Sequence, residues 1–244
     1  MARAAPDGYT ILMGTTSTHA VGPAVNSKLP YNHLTDFAPV TLVATFPNVL
    51  VAHPSTATSL QELIALLKAN PGKYNFGSSG AGSSTHLAGE LFKQMTATDI
   101  NHIPYKGTGP LLNDLMAGHV AFAFDQITAV MSGVQAGKMR ALGVASAERS
   151  AALPDVPAIR EVLPGYEATA WVGIFAPAKT PADIVARLQG ETRRIVQLPD
   201  IAQRLRELGA TAVADSPAEF AEFVKRDTDK WRRLVASAKI QIEQ

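Results

Sequence analysis

The chain predicts an α/β protein with a mainly parallel sheet, divided between two lobes. Three observations carry this reading. Apolar, β-rich runs alternate with amphipathic helical stripes through short connections, which is the signature of βαβ units. One pattern occurs twice, in VLVAHPSTATSLQELIALLK (49–68) and WVGIFAPAKTPADIVARLQG (171–190): an apolar strand, an Ala-(x)-Pro corner, a small polar cap and an amphipathic helix. Two such units flanking a βαβαβ block suit a chain that crosses twice between two α/β domains, the alternative being chance likeness of strand-turn-helix units. Finally, 244 residues that are 46% hydrophobic and 18% charged can bury the core of one large or two modest domains.

Taken in order, Tyr9 to Met13 reads as a strand, and GTTSTHA (14–20) as a small-residue turn leading to a helix N-terminus. Ala38 to Ala44 and Val49 to Ala52 are two further strands, separated by Pro47 and Asn48. Ser59 caps a helix with Glu62 three residues on and an apolar stripe of Leu60, Leu63, Ile64 and Leu67. The turn at Pro71-Gly72 leads to a strand at Tyr74 to Gly77, then to GSSGAGSSTH (77–86) and a helix striped by Leu87, Leu91 and Met95. Strand Asn101 to Pro104, loop YKGTGP (105–110), helix Leu111 to Met116, strand Val120 to Phe124, a short helix after Asp125 and strand Arg140 to Ala145 follow. Ser146 to Tyr166 is punctuated by Pro154, Pro157 and Pro164 and has no period, so it reads as an irregular surface connection. Ala168 to Ala176 is a strand, and three helices close the chain. They open at Thr180-Pro181, at Pro199-Asp200 and at the capping box Ser216-Pro217-Ala218-Glu219. The last helix carries Phe220, Phe223, Val224, Trp231, Leu234 and Val235 on one face, as core residues.

Charge and composition exclude several classes. The net charge is +1 from 22 basic and 21 acidic residues, and the charges of 181–244 mix both signs at helical spacing, which makes a solvated face and not a nucleic-acid surface. The absence of cysteine removes disulfides, thiol nucleophiles and thiolate metal sites and suits either a cytosolic or an exported protein. His19, His33, His53, His86, His102 and His119 never stand three or four apart, so no metal site is expected. The most apolar stretch, Ala38 to Ala52, is too short for a membrane span, so no direct membrane insertion is expected. The start, MARAAPDGYT, lacks the apolar core of a signal peptide, and the chain as written reads as not addressed for export.

GSSGAGSSTH is the most informative segment. Gly77, Gly80 and Gly82 with five hydroxyl residues surround a positive helix end with N–H and O–H donors. Chemically that is an anion site; the plainer reading is a glycine-rich turn with Ser83 as an N-cap. Nucleotide motifs fail at the letter. Gly80-Ala81-Gly82 lacks a glycine three residues on, and Gly133 to Lys138 is one residue short of a phosphate loop, with Met139 where Ser or Thr is needed. A nucleophile elbow would need glycine at 81, where alanine stands. A serine hydrolase using Ser79 or Ser83 would have Lys73 or Lys106 as its partner, without a supporting motif. His86 either lines the same space as the loop or packs its helix, and His102 reads as structural. Asp125 either caps the following helix or faces a ligand ammonium or a bridging water. All four candidate loops, including GTTST (14–18) and YKGTGP, follow strands, where ligands bind in open parallel sheets.

The segments APDGYTILMGTTSTHAVGPA, KLPYNHLTDFAPVTLVATFPNVLV, GSSGAGSSTHLAGELFK, HIPYKGTGPLLNDLMAGHVAFAFD, GKMRALGVAS, ALPDVPAI and LPGYEATAWVGIFAPAKTP, in that order, resemble landmarks of the Bug/TctC family. These are the extracytoplasmic solute-binding proteins of tripartite tricarboxylate transporters. The resemblance implies a two-lobed periplasmic-binding-protein (Venus-flytrap) fold with crossover strands near Val40 to Ala52 and Ala168 to Phe175. Lobe 1 would comprise residues 1–48 and 172–244, and lobe 2 residues 49–171. It also implies a monomeric, periplasmic binder of a small organic acid, held between the lobes and passed to membrane transporter subunits, with no catalytic residues, metal or cofactor. Carried over by matching motif, the ligand contacts are Thr15, Thr16, Ser17, Ser79, Gly80, Ser83, Ser84, Thr85, His86, Lys106 and Asp125. A sensor or adaptor that hands its ligand to a signalling partner is the main alternative. Family members carry a signal peptide, a strand, a loop and a helix ahead of the Ala5-Pro6-Asp7-Gly8 landmark, so the first strands and helix of lobe 1 are expected to be missing here.

Overall fold

The computed structural model describes residues 1–238 and Ile240. The chain forms two compact units, one made of residues 1–45 with the chain from Ala170 onward, the other of Phe46–Thr169. It passes between them twice, after Thr45 within strand β2 (Phe37–Ala52) and after Thr169 within strand β7 (Thr169–Pro177).

In the first unit, β1 (Leu12–Thr15) pairs antiparallel with β7, Leu12 opposite Phe175 and Thr15 opposite Val172. A π-helical turn over Ser17–Val21 and the short α1 (Gly22–Val25) follow β1. The strand begins later than the sequence predicts because Asp7 accepts the Tyr9 N–H at 3.0 Å and Gly8 sits at φ 85°, turning the chain and leaving Tyr9 94% exposed. Helices α6 (Ala182–Val196), α7 (Pro199–Glu207) and α8 (Pro217–Ala238) complete the unit, with β8 (Thr211–Ala212) antiparallel to β2. The capping box of α8 is reciprocal: Ser216 Oγ accepts the Glu219 N–H at 3.3 Å, and the Glu219 carboxylate accepts the Ser216 N–H at 2.9 Å. The α8 face buries Phe220, Val224, Trp231 and Leu234. Phe220 meets Trp171 edge to face at 5.6 Å, and the Trp171 indole donates to Asp227 at 2.8 Å.

The second unit contains the rest of β2, then α2 (Leu60–Ala69), β3 (Asn75–Ser78), α3 (Ser84–Thr96), β4 (Asn101–Pro104), α4 (Thr108–Met116), β5 (Phe122–Gln126), α5 (Ile127–Gln135) and β6 (Arg140–Val144). Its strand order is β6-β2-β5-β3-β4. Between β6 and β7 the chain is irregular except for a single 3₁₀ turn at Ile159–Glu161.

Two expectations need correction. Parallel pairing joins β3 to β4 and to β5, whereas β2 runs against β5 and β6, and the β1–β7 and β2–β8 ladders are antiparallel. The parallel reading assumes that every strand feeds a crossover helix, but β2 and β7 instead carry the chain between units. Likewise Ala38 to Ala44 and Val49 to Ala52 are one strand. Pro47 is tolerated because it falls between the β8 ladder, which ends at Thr45, and the β5 ladder, which starts at Asn48.

Candidate ligand-binding loops

The parallel register of β3 with β4 and β5 brings the loops after β3 and β4 to one end of the second unit's sheet, beside the end of β5. The backbone ties them together. Tyr105 N–H donates to Ser78 O at 3.0 Å, and Gly107 N–H to Ser79 O at 3.0 Å. Gly80 (φ 154°) and Gly107 (φ 105°) take conformations that L side chains rarely adopt, so glycine at these two positions follows from the loop path.

Within the loop the hydroxyls have definite jobs. Ser83 caps α3: its Oγ accepts the His86 N–H at 3.2 Å and donates to Gly80 O at 2.7 Å. Thr85 Oγ1 accepts the Ser79 N–H at 3.0 Å and lies 2.9 Å from both Ser83 Oγ and Ser79 Oγ. Because Ser83 spends its proton on Gly80, Thr85 donates to Ser83 and the Ser79 hydroxyl donates to Thr85. Since Thr85 also accepts the Ser79 N–H, the Ser79 hydroxyl can turn toward a ligand without leaving Thr85 unpaired. Thr85 is buried and positions its neighbours, while Ser79 is partly accessible. Ser84 is buried in the first turn of α3. Lys106 stands exposed in the loop before α4.

Asp125 lies inside β5 and does not cap α5, whose N-cap is Gln126 without a side-chain cap bond. Its Oδ1 accepts the Gln126 N–H at 2.7 Å, and its buried Oδ2 has no hydrogen-bond partner of ordinary geometry among the described residues. Burial pushes the carboxyl's pKa up, against the opposing pull of the Gln126 N–H and the nearby Thr108 hydroxyl.

His86 and His102 stack at 3.8 Å with their planes 17° apart, and His102 Nε2 lies 2.6 Å from Ser78 Oγ. The contact between His102 and Ser78 spans 24 residues and has no local sequence signal. The Ser78–His102 pair is not a nucleophile and base, because Ser78 is fully buried and donates to Gly80 O at 3.1 Å.

In the first unit, Thr16 is buried and structural: its Oγ1 accepts the Trp171 N–H at 2.7 Å. Thr15 Oγ1 accepts the Thr18 N–H at 3.3 Å, and Ser17 begins the π-helical turn. Among the described residues no group of three His, Asp or Glu side chains could hold a metal ion, and no helix is long and apolar enough to cross a membrane.

Two α/β units linked through two strands, with hydroxyl and N–H donors gathered at strand ends, define the class of periplasmic solute-binding proteins. The chain belongs to the tripartite tricarboxylate transporter family receptors, whose sequence profile matches residues 1–240. It is 36% identical to BugT of Bordetella pertussis over 237 residues, covering 96% of this chain and 73% of that protein. Two similar solved structures come from Rhodopseudomonas palustris. Rpa4515 with adipate is 35% identical with a TM-score of 0.91, covering 98% of this chain and 81% of that one. MatC with bound malate is 34% identical with a TM-score of 0.85, covering 96% and 81%. These relatives are binding proteins and not enzymes.

Proposed function

We propose that this chain binds a small organic carboxylate in the periplasm and delivers it to a tripartite tricarboxylate-type membrane transporter. The observation that carries the reading is the donor set at the strand ends of the second unit. There the Ser79 hydroxyl stands beside the N-terminus of α3, in a loop whose path is held by Gly80, Ser83 and the Gly107 N–H. Hydroxyls and backbone N–H groups beside a helix N-terminus stabilise a carboxylate without a paired cation, and these loops contain no arginine. Adipate and malate in the two similar structures support a dicarboxylate as the ligand class. Lys106 supplies the one cationic side chain of these loops, and Asp125 meets a bridging water or a ligand ammonium.

Calorimetry against adipate, malate and their diamides tests the binding step. Binding of a diacid but not its diamide is expected, with Ser79→Ala lowering affinity roughly tenfold. Equal binding of acid and diamide, or no binding of any diacid, would overturn the reading. Ligand-dependent uptake by transporter-containing vesicles, measured with and without the protein, tests delivery.

A further inference from the structure

We propose that His102 is a positioning residue for the Gly-Ser loop: through Ser78 and its stack on His86 it holds the loop's donors in the arrangement that receives a carboxylate. The inference rests on the carboxylate reading of that loop and assigns a role to a residue outside it.

The proton accounting is closed at both imidazoles. The Gly82 N–H donates to His86 Nδ1 at 3.2 Å, so Nδ1 is unprotonated and the proton sits on Nε2, which faces Glu90 Oε1 at 3.7 Å. Ser78 donates its hydroxyl proton to Gly80 O, so at 2.6 Å its oxygen accepts from His102 Nε2–H; it also accepts the Gly80 N–H at 3.3 Å. Each ring therefore holds one end of the same loop. His102 fixes Ser78 and, through it, both backbone groups of Gly80, while His86 fixes Gly82 and rests on His102. Phe76 backs the pair, 4.9 Å from the His102 ring. Burial, with His86 and Lys93 nearby, lowers the His102 pKa to about 3, which keeps the ring a neutral, single donor at working pH.

The arrangement distinguishes stacking from hydrogen bonding. A phenyl ring at this position keeps the stack and loses the donor, and a glutamine places an N–H where Nε2 stands. Adipate and malate titrations of the wild type, His102→Phe, His102→Gln, Ser78→Ala and the His102→Phe/Ser78→Ala double variant should be read together with amide hydrogen exchange of Ser79, Gly80 and Gly82. We expect His102→Phe to weaken adipate binding roughly five- to tenfold and to speed exchange at Gly80 and Gly82, and His102→Gln to restore most of both. Ser78→Ala should match His102→Phe, and the double variant should be no worse than either single one. Additive losses, or faster unfolding with unchanged loop exchange and affinity, would reduce His102 to a packing residue and overturn the proposal. If the wild type binds neither diacid, the carboxylate reading fails and the receiving role falls with it. Loop exchange unchanged in His102→Phe would instead refute the positioning role whether or not a diacid binds.

Discussion

At the scale of single residues, the loop after β3 shows how few of its hydroxyls are available to a ligand. Ser83 and Thr85 are committed to Gly80, His86 and Ser79, which leaves the Ser79 hydroxyl as the movable donor. Asp125 sits in the same unit at a cost, since its buried Oδ2 lacks a partner among the described residues and its pKa is raised. Asp125→Asn keeps the Gln126 N–H bond and removes the desolvated charge. Urea unfolding at pH 7.5 should therefore show stability unchanged or raised by up to about 1 kcal/mol, and a loss of stability would show that the ionised carboxylate is needed. Of the proposed contacts, the Gly-Ser loop was legible because three glycines and five hydroxyls exceed what a helix cap requires. The burial of Thr16 against Trp171 and the approach of His102 to Ser78 were not, since each joins residues far apart in the chain.

At the scale of elements, the helix starts were legible and the strand ends were not. Ser59 and Ser216 each accept the N–H of the glutamate three residues on, a bond within one turn that needs no tertiary partner. Glu62 departs from the box in reaching back to the Thr58 N–H, one residue further than the pattern asks. Strand limits depend on neighbours: β5 extends through Asp125 to Gln126 because its partner β2 continues to Asn48. Helix α3 seats on β3 through Gly89, where an added Cβ would lie 2.0 Å from the Phe76 ring. Gly89→Ala is therefore expected to lower stability by about 1–3 kcal/mol despite alanine's better helix propensity, as read from thermal or urea melts. A stabilised variant would mean that the Phe76 ring moves aside freely.

At the scale of the whole molecule, the buried His19 and His33 and the partly buried His102 make stability depend on pH. Burial lowers His19 and His33 to about 4 and His102 to about 3, with lesser help from neighbouring positive groups, whereas the unfolded side chain titrates near 6.5. Since each pKa is depressed on folding, the neutral forms contribute full stability above pH 6.5. That contribution is lost as pH falls through 6.5 toward 4, and further toward 3 for His102. A tenfold difference in proton affinity corresponds to about 1.4 kcal/mol, so after discounting for incomplete burial, acidification from pH 7.5 to 5.0 should cost on the order of 2–4 kcal/mol. Urea midpoints at the two pH values check this, and equal midpoints would refute it. By itself, the sequence determined the α/β class, the family landmarks, most helix starts and the donor-rich loop, because capping, periodicity and glycine turns are set by residues a few positions apart. Only the tertiary structure decided that β2 is one continuous antiparallel strand, that Asp125 lies within a strand, and that two stacked imidazoles hold the loop. Those features depend on which strands become neighbours, and that is settled by burial over the whole chain.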